Sequence, residues 1–401
     1  MKKILLLGGS AQQVVAIKTA KAMGYVTVLC DYLPDNPGQY EADVYYNVST
    51  TDVEAVYQVA LKEKVDGVLA YASDPAAFPA AVVAERLGIP TNPSESVAIL
   101  GVKHKFRDFL RKHGFACPQI YTFPPSKSLD EVLDAIKDFC FPIVVKPTDS
   151  SGSKGVTMLS TPNELSRAIH NADYYSRNKI LIVEEFITRG FPFVIGGDIF
   201  VWDGKIILYG EMSCLRDKDG KGLIPLGERI PGELNDFQKC RVHEELQRLI
   251  SLLNIRFGEL NIEILLDKED KVHFLEVGPR AGGNMIPLQL SDAFGVDLVK
   301  ANVEVAMGND PKLHIKDISG YYMTYVLHSY MNGVFDGVDF SAEITPYIYR
   351  KVLYKVQGDK VESFDGAGKA LGIIFFHFDT AEHMNRICER MDELIKVKLK
   401  P

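Results

Sequence analysis

Near the N-terminus, short apolar runs alternate with segments in which apolar residues recur every three or four positions. The run at 3–7 (KILLL) ends at Gly8-Gly9-Ser10, and a helical pattern over 13–23 and a strand-like run over 25–30 follow. A strand, glycine turn, helix and strand in this order predict a parallel α/β sheet. Because the same alternation continues beyond this unit, we expect a small doubly wound domain over residues 1–93.

The first glycine turn matches a dinucleotide-binding loop only in part. The sequence from Gly8 to Gln13 lacks the third glycine of GxGxxG, and the pattern is weak even when complete. NAD binding is therefore disfavoured. Backbone N–H groups at a helix start still suit a small anion, so an anion site at this turn is a separate expectation.

Later in the chain, two apolar, strand-like runs flank a polar turn. The turn is Asp267-Lys268-Glu269-Asp270, and the pattern predicts a β-hairpin over 258–278. If the turn centres between Glu269 and Asp270, Glu263 lies opposite Glu276, where two like charges destabilise the pair. A bound cation would remove that conflict, and carboxylates without nearby Cys or His suit Mg²⁺. The alternative is an exposed hairpin whose glutamates only keep the sheet soluble.

Between these two regions the chain carries charged residues at the ends of predicted elements. Lys103 opens a helix, and Lys146 ends a strand just before a Ser/Gly loop at 149–155. Small residues let backbone amides approach phosphate oxygens, although a plain linker hairpin is the simpler interpretation of the loop alone. Glu184 and Glu185 end a third strand. Lysines, loop amides and carboxylates in this order are suited to ATP phosphates, because phosphoryl transfer depends on positioning and electrostatics.

Two further stretches complete the pattern. Residues 213–232 show no clear periodicity and predict a functional loop, in which Arg216 and Arg229 could hold a substrate carboxylate, although arginines are more often solvated. From about residue 313, strands over 318–330, 344–356 and 371–378 and a helix over 380–397 predict a compact α+β domain. The C-terminal KVKLK is expected to be a solvated helix end.

Composition narrows the class of protein. The chain has 401 residues, 46% hydrophobic and 24% charged, with a net charge of −8. The composition is that of an ordinary globular protein, and the negative net charge argues against a nucleic-acid partner. Six cysteines without a CxxC spacing indicate reduced thiols in a cytoplasm. No apolar run approaches the length of a membrane span, so no membrane partner is expected.

The ordered set of motifs resembles the ATP-grasp superfamily, which includes carbamoyl phosphate synthase, biotin carboxylase and phosphoribosylglycinamide synthetase. The resemblance covers nearly the whole chain. It is carried by VKHK at 102–105 with GFACP at 114–118, FPIVVKP at 141–147, the loop at 150–155, VEEFI at 183–187, and the hairpin ending in EVGPR at 276–280. Each element is weak alone, whereas their order is specific.

The resemblance implies a three-domain ATP-grasp architecture, α/β and α+β in class. The N-terminal doubly wound parallel sheet would be the pre-ATP-grasp domain (1–93), followed by the ATP-grasp domain (94–312, with a lid subdomain at about 117–187) and a small α+β domain (313–401). The implied site residues are, for ATP, Lys103, Lys146, Ser151, Gly152, Ser153, Gly155, Glu184, Glu185, Phe186 and Ile187; for metal, Glu263 and Glu276; and for catalysis, Arg280 and Asn284.

The chain departs from the family pattern at three places. Val102 replaces a usual aspartate, and residues 193–197 lack the glutamate that often contacts the ribose. Gly278 stands where the family usually has a metal-binding asparagine. Because the assumed hairpin register puts Asn261 opposite Gly278, we hypothesise that Asn261 supplies the missing oxygen ligand.

The function implied by the resemblance is a ligase that joins a carboxylate to an amine through an acyl phosphate. Its cofactors would be ATP and Mg²⁺, with Mn²⁺ as an alternative metal, and its partners small-molecule carboxylates and amines. A cytoplasmic protein is expected, and a homodimer is kept as an alternative to a monomer. The competing interpretations are a bicarbonate-activating enzyme of the carboxylase or carbamoyl phosphate type, and a catalytically silent ATP-binding protein.

Overall fold

A computed structural model describes residues 1–150, 152–217 and 224–400. The backbone contacts divide the chain into two compact units, which are described separately. The first unit comprises Met1–Val97, Ile195–Ile262 and Gly278–Pro401, and the second comprises Ala98–Val194 and Glu263–Val277. The domain boundaries expected at residues 93 and 312 stay predictions.

The N-terminal part of the first unit is a four-stranded parallel sheet with helices between its strands. The strand order is β3-β2-β1-β4, and the apolar runs of β1 and β2 are buried at its centre. The predicted parallel α/β opening is confirmed. Its elements are β1 (Lys3–Leu7), α1 (Val14–Ala22), β2 (Val26–Asp31), β3 (Val44–Asn47), α2 (Val53–Glu63), β4 (Gly67–Leu69) and α3 (Asp74–Leu87).

Two backbone amides of the glycine turn after β1 already donate hydrogen bonds to side chains of the protein. The Gly9 N–H donates to Asp31 Oδ2 at 2.7 Å, and the Ser10 N–H donates to Gln13 Oε1 at 2.8 Å. These side-chain oxygens occupy the positions that an anion would take. The Gly9 and Ser10 amides are therefore not available to an anion in the conformation observed, and an anion site at the following amides stays a prediction.

The second unit is built on a four-stranded antiparallel sheet of order β5-β8-β6-β7. α4 crosses the boundary between the two units along the chain, and α7 packs its apolar face on the sheet. The elements from here are α4 (Ser94–Gly101), α5 (Lys103–Lys112), β5 (Ile120–Phe123), α6 (Leu129–Ala135), β6 (Ile143–Pro147), β7 (Thr157–Leu159), α7 (Leu165–Tyr175) and β8 (Leu181–Glu185).

The remaining strands form an eight-stranded sheet and a three-stranded sheet, β17-β15-β19. The larger sheet has the order β13-β12-β9-β10-β11-β14-β18-β16. The elements are β9 (Val194–Trp202), β10 (Lys205–Arg216), β11 (Pro225–Ile230), α8 (Asp236–Leu252), β12 (Phe257–Leu266), β13 (Val272–Gly278), α9 (Ile286–Phe294), α10 (Leu298–Ala306), β14 (Tyr321–Leu327), β15 (Gly333–Phe340), β16 (Ile348–Leu353), β17 (Lys360–Val361), β18 (Gly372–Phe378), α11 (Ala381–Cys388), α12 (Met391–Leu394) and β19 (Ile395–Lys400).

The stretch 213–232 is largely strand, so the prediction of an irregular loop was wrong over its described part. β10 and β11 pair antiparallel, with Ser213 opposite Arg229, and residues 218–223 of the prediction lie outside the described residues. Arg229 is only 4% exposed and pairs with Glu233 at 2.6 Å. Its guanidinium group stabilises the fold, so Arg229 is not an exposed arginine that could hold a substrate carboxylate.

The C-terminal KVKLK is also a strand. β19 pairs antiparallel with β15, and Lys398 and Lys400 each lie 2.7 Å from an aspartate of β15, Asp339 and Asp336 respectively. The predicted helix ends at Leu394. The prediction missed the period-two alternation of the tail, which places Val397 and Leu399 on one face and the lysines on the other.

The predicted hairpin is present as β12 and β13, but its turn is centred on Glu269. The Asp270 N–H donates to Asp267 O at 3.1 Å, and the Asp267 N–H donates to Lys271 O at 3.2 Å. At the other end, the Asn261 N–H donates to Arg280 O at 3.0 Å. The register therefore shifts along the hairpin, and Asn261 pairs with Arg280 instead of Gly278, because a tight Gly278–Arg280 turn lengthens that side.

Candidate functional site

The second unit contains a buried cluster of charged side chains on α5, β6 and β8. Lys146 Nζ lies 2.6 Å from Glu184 Oε2, and Arg107 Nε lies 2.9 Å from Glu184 Oε1. The Arg107 side chain is 0% exposed, that of Glu184 6% and that of Lys146 11%. One buried carboxylate is thus shared by two cations.

Arg107 was missed by the sequence analysis. It lies on the same face of α5 as Lys103, four positions earlier, and its Nη2 also donates to Leu275 O at 3.0 Å. Its Nη1 is buried without a hydrogen-bond partner among the described residues. The i,i+4 spacing of two basic residues in VKHKFR was the signal that could have identified it.

The charges in this cluster shift the pKa values of its members. Burial alone would raise the pKa of Glu184, but the charges of Arg107 and Lys146 outweigh it and lower the pKa to about 2. Burial lowers the pKa of Lys146; Glu184 opposes this change, whereas Arg107 and Lys103 add to it. Glu184 is therefore fully ionised at neutral pH.

Lys103 joins this cluster to the hairpin and to the Ser/Gly loop. Its Nζ lies 3.4 Å from Glu276 Oε2 and donates to Ser150 O at 2.5 Å. Among these side chains, the three cations Lys103, Arg107 and Lys146 face two carboxylates, Glu184 and Glu276. The excess of positive charge suits an anion such as a phosphate group.

The Ser/Gly loop joins β6 to β7, as the sequence predicted. Gly152, Ser153 and Gly155 have φ values of +64°, +60° and +75°, a left-handed backbone that favours glycine. The Ser150 hydroxyl donates to Lys154 O at 2.8 Å and ties the two ends of the loop. The predicted phosphate contact Ser151 lies outside the described residues.

The segment after β8 was predicted to contact adenine. The Glu185 N–H donates to Gln119 O at 3.1 Å and the Phe186 N–H to Pro142 O at 2.9 Å. Glu185 Oε1 accepts from the Cys140 N–H at 2.7 Å. The first amide of this segment left without a hydrogen bond to described residues is that of Ile187.

Arg280 lies in the first unit, in a glycine-containing loop between β13 and α9. Its Nε and Nη2 donate to the two oxygens of Asp74 at 2.7 and 2.8 Å, a bidentate pair that fixes the plane of the guanidinium. In the same loop the Asn284 N–H donates to Gln12 Oε1 at 2.7 Å, and Asn284 Oδ1 is buried without a partner among the described residues.

A buried aspartate, Asp198, fixes the loop between β13 and α9 through hydrogen bonds. Asp198 is 0% exposed, and it accepts from the Gly282 N–H at 2.8 Å and from Asn261 Nδ2 at 2.9 Å. Asn261 Nδ2 also donates to Gly197 O at 2.9 Å. These contacts fix the Asn261 amide, so that only its oxygen is left to serve as a metal ligand.

The protein supplies only some of the oxygen ligands that a Mg²⁺ ion requires. Glu263 and Glu276 offer hard carboxylate oxygens within the second unit. The described residues contain no group of three or more His, Cys, Asp or Glu side chains arranged around a metal. This is the situation expected for Mg²⁺, which usually takes one or two carboxylates and completes its shell with substrate phosphates and water.

Comparisons with known proteins identify the family. The family model for the carbamoyl-phosphate synthase L chain, ATP binding domain, matches residues 103–314, more than half of the chain. The chain belongs to this family. The match includes both lysines of the charged cluster, the Ser/Gly loop, the hairpin and the Arg280 loop, and it confirms the predicted ATP-grasp superfamily, whose members are ligases that use ATP with Mg²⁺.

Individual relatives are more distant. The carbamoyl phosphate synthase large chain of Thermotoga neapolitana is 23% identical over 291 residues, covering 71% of this chain and 25% of that one. The formate-dependent phosphoribosylglycinamide formyltransferase of Bacteroides thetaiotaomicron is 28% identical over 300 residues, covering 70% and 71%. The chain thus spans about a quarter of the length of the synthase chains it matches.

The fold extends over the whole chain in solved structures. An L-amino acid ligase from Bacillus licheniformis matches with a TM-score of 0.84 at 18% identity, covering 100% of this chain and 99% of the other. A phosphoribosylglycinamide synthetase from Anaerococcus prevotii matches with a TM-score of 0.78 at 18% identity, covering both chains completely. The predicted fold class is confirmed. In the described part of the chain, no helix is long and apolar enough to span a bilayer.

Proposed function

We propose that this protein is an ATP- and Mg²⁺-dependent ligase that joins a carboxylate to an amine and releases ADP and phosphate. The observation that carries the proposal is the buried cluster of the second unit, in which Lys103, Arg107 and Lys146 outnumber the carboxylates Glu184 and Glu276. A buried excess of positive charge is costly unless an anion completes it. Family membership supports ATP as the source of that anion.

Each part of the cluster has a role toward the nucleotide. Lys103 and Lys146 bind phosphate oxygens, and Glu184 acts through Lys146 by holding its ammonium group in place. The loop with Ser151, Gly152, Ser153 and Gly155 covers the phosphates with its amides and hydroxyls and keeps water out. Phe186 and Ile187 contact the adenine, through the free amide of Ile187, and Glu185 anchors this segment to Cys140.

Metal binding falls to Glu263 and Glu276, with the Asn261 oxygen as a third protein ligand. When bound, Mg²⁺ draws charge from the phosphate oxygens. We expect Asn261→Ala to raise the Mg²⁺ concentration needed for half-maximal turnover at least threefold. An unchanged Mg²⁺ requirement would remove Asn261 from the metal site and leave it as a partner of Asp198.

The chemical step requires only positioning and charge stabilisation from the chain. A carboxylate oxygen of the acid substrate attacks the γ-phosphorus of ATP, and ADP leaves. The amine nitrogen then attacks the carbonyl carbon, the C–N bond forms, the C–O bond to phosphate breaks, and the nitrogen loses a proton. Arg280, oriented by Asp74, holds the reacting carboxylate, and Asn284 presents its amide oxygen to the acceptor.

The deciding experiment is phosphate release from ATP with Mg²⁺ across an array of small carboxylates and bicarbonate, each with and without amines. Wild type is compared with Glu276→Ala and with Glu269→Ala, a control in the exposed hairpin turn. Release that needs one acid and one amine, lost in Glu276→Ala and kept in the control, is the expected result. Release with bicarbonate alone would instead identify the carboxylase type, and ATP binding without release under any condition would identify a silent nucleotide-binding protein.

A further inference from the structure

His328 follows β14 directly, at the end of the eight-stranded sheet where the loop between β13 and α9 packs. The buried cluster at this end contains Met285, the residue after Asn284, together with Val326 and Phe364. The centroid of the His328 ring lies 4.6 Å from that of Phe364. All of these residues belong to the first unit. The histidine therefore lies beside the loop proposed to hold the reacting groups, and no step of the proposed mechanism uses it.

Hydrogen bonding fixes which nitrogen of His328 carries the proton. Its Nδ1 lies 2.7 Å from Val326 O, a carbonyl oxygen that can only accept, so Nδ1 is the N–H donor. In the neutral imidazole, Nε2 must then offer its lone pair. Nε2 forms no hydrogen bond with a described residue, yet it is not sealed from solvent. The ring thus presents an acceptor nitrogen at its open edge.

Aromatic side chains hold the His328 ring in this orientation. The ring centroids of Tyr330 and Tyr325 lie 4.9 and 5.6 Å from that of His328, in addition to Phe364. Tyr325 is itself fixed, because its hydroxyl donates to Asp392 Oδ1 at 3.1 Å. His328 is only 9% exposed, so most of the ring is enclosed. A buried ring with one nitrogen bonded to the backbone and the other open is arranged for proton transfer.

We propose that His328 is the general base of the amine step and that its Nε2 takes a proton from the substrate nitrogen. The assignment rests on the proposed ligase function, whose second step needs a proton acceptor. An aliphatic amine is protonated at neutral pH and then has no lone pair with which to attack. Arg280 and Asn284 cannot take this proton, because a guanidinium group is a permanent cation and an amide is not basic.

The protons and electrons of the amine step balance with one histidine. Nε2 takes the first proton from the ammonium nitrogen, and an imidazolium forms whose Nδ1–H stays on Val326 O. The freed lone pair forms the C–N bond to the acyl carbon, the C–O bond to phosphate breaks, and phosphate leaves with that electron pair. The second proton lost by the nitrogen goes to the departing phosphate, and the imidazolium releases its proton to water.

Hydroxylamine separates the base from the rest of the site, because it is largely uncharged at neutral pH and captures acyl phosphates without first losing a proton. Each acid of the array is supplied with ATP, Mg²⁺ and either hydroxylamine or one of the probe amines ammonia, ethylamine and the amino acids. Hydroxamate and amide are measured by mass spectrometry. In His328→Asn, whose amide can still donate to Val326 O, amide should form about 100-fold more slowly than in wild type, and hydroxamate within about twofold of wild type.

Two further variants make the result decisive. His170→Asn is the matched control, because His170 Nδ1 also lies 2.7 Å from a backbone oxygen, that of Ser166, but its ring is exposed on the second unit. It should change neither product. His328→Ala leaves room for a free imidazole, and added imidazole should raise amide formation in this variant by about tenfold without changing hydroxamate.

The failure of this assignment can be separated from failure of the ligase. Equal losses of amide and hydroxamate in His328→Asn, as a purely structural role predicts, would overturn the assignment. Unchanged amide formation, or a loss in His328→Ala that imidazole does not restore, would overturn it too. These results leave the ligase standing, because wild type still forms both products. Wild type that forms neither product with any acid would contradict the ligase, and hydroxamate without amide from any probe amine would contradict the amine step and its base.

Discussion

At the scale of single residues, Glu184 is the member of the charged cluster on which the others depend. It is the acid that bonds both Arg107 and Lys146 at hydrogen-bond distance. Without it, two buried cations would repel each other with no counter-charge, and Lys146 would lose its ammonium form more readily. The orientation of Lys146, the proposed phosphate-binding lysine, therefore depends on a residue that need not touch the nucleotide.

The low pKa of Glu184 makes a prediction about acid stability. Its folded-state pKa of about 2 lies below its ordinary value of 4.5, so its ionisation stabilises the fold above pH 4.5, and that stabilisation is lost as the pH falls toward 2. A shift of this size corresponds to about 3 kcal/mol. In urea unfolding, the stability difference between wild type and Glu184→Gln should shrink steadily from pH 5 to pH 2.5. A difference independent of pH would contradict the assignment.

Removing Arg107 should destabilise the protein and weaken nucleotide binding together. Arg107→Met leaves Glu184 with Lys146 alone, and breaking a buried pair typically costs about 3–5 kcal/mol. Arg107→Lys should rescue only part of this, because one ammonium group cannot bond both Glu184 and Leu275 O. Urea unfolding and ATP titration measure the two effects. Arg111→Met is the control, because Arg111 forms an exposed ion pair with Asp108 on the same helix. It should change neither the stability nor the ATP affinity.

Some of these residues could be predicted from the sequence and others could not. Lys103 and Lys146 stand at the ends of elements in an ordered motif set, which is a property of sequence. Arg107 could have been found from its helical spacing to Lys103. Asp198 and Glu259 could not, because acids inside strands look like solvated residues until the packing shows that both are buried.

At the scale of elements, the loop between β13 and α9 packs so closely at one glycine, Gly282, that it leaves no room for a side chain. A Cβ atom at Gly282 would lie 2.6 Å from Asp198 Oδ1 and 3.0 Å from Asn261 Nδ2, whereas a Cβ at Gly283 would meet only Gln12 Oε1 at 3.6 Å. The loop that carries Arg280 and Asn284 therefore has one position closed to any side chain and a neighbouring position that is open.

This difference predicts unequal effects of two adjacent substitutions. Gly282→Ala should displace the Arg280 loop and lower kcat at least tenfold, a loss of about 1.4 kcal/mol in transition-state stabilisation. ATP affinity should change less than twofold, because the proposed phosphate-binding side chains lie on other elements. Gly283→Ala is the matched control and should retain more than half of the activity. Equal losses in both variants would show that the close contact with Asp198 is unimportant.

The C-terminal strand makes a second prediction at this scale. Leu399 faces Phe335 and packs against the C-terminal hydrophobic cluster, whereas Lys396 is exposed. Leu399→Ala should lower the free energy of unfolding by about 1–2 kcal/mol, less than for a fully buried leucine. Lys396→Ala should cost under about 0.5 kcal/mol. A larger loss for Lys396→Ala in urea unfolding would favour the helical interpretation of the tail.

Elements with a strong alternation were predicted well, and those dominated by charge were not. The hairpin of β12 and β13 was visible because apolar runs flank a polar turn, but its register was not, since the tight Gly278–Arg280 turn follows from backbone geometry. β19 alternates lysines with apolar residues, but a tail of only five residues with three lysines was interpreted as a solvated helix end. Its backbone pairing with β15, with Lys398 and Lys400 beside Asp339 and Asp336, identifies it as a strand.

At the scale of the whole molecule, the two units bury different kinds of charged group. The second unit carries the cluster of Lys103, Arg107 and Lys146, and the first carries a buried acid pair, Asp198 and Glu259, whose pKa values are raised by burial. Hydrogen exchange should show this division. ATP with Mg²⁺ should protect 103–112, 143–147 and 181–187 and leave 67–71 and 257–260 unchanged. Protection by ATP confined to 3–10 would instead place the nucleotide at the glycine turn after β1.

The small side chains in the core of the first unit also bear on how such a protein changes over evolutionary time. The proposed phosphate-binding residues lie on α5, β6 and β8, whereas a run of small side chains, Ala77, Ala80 and Ala81, lies on α3 beside a cavity of about 90 Å³. An exchange among those alanines changes the free volume in the first unit and leaves the charged cluster of the second unit in place. This part of the core can therefore accumulate small changes over generations without loss of the residues on which the proposed nucleotide site depends.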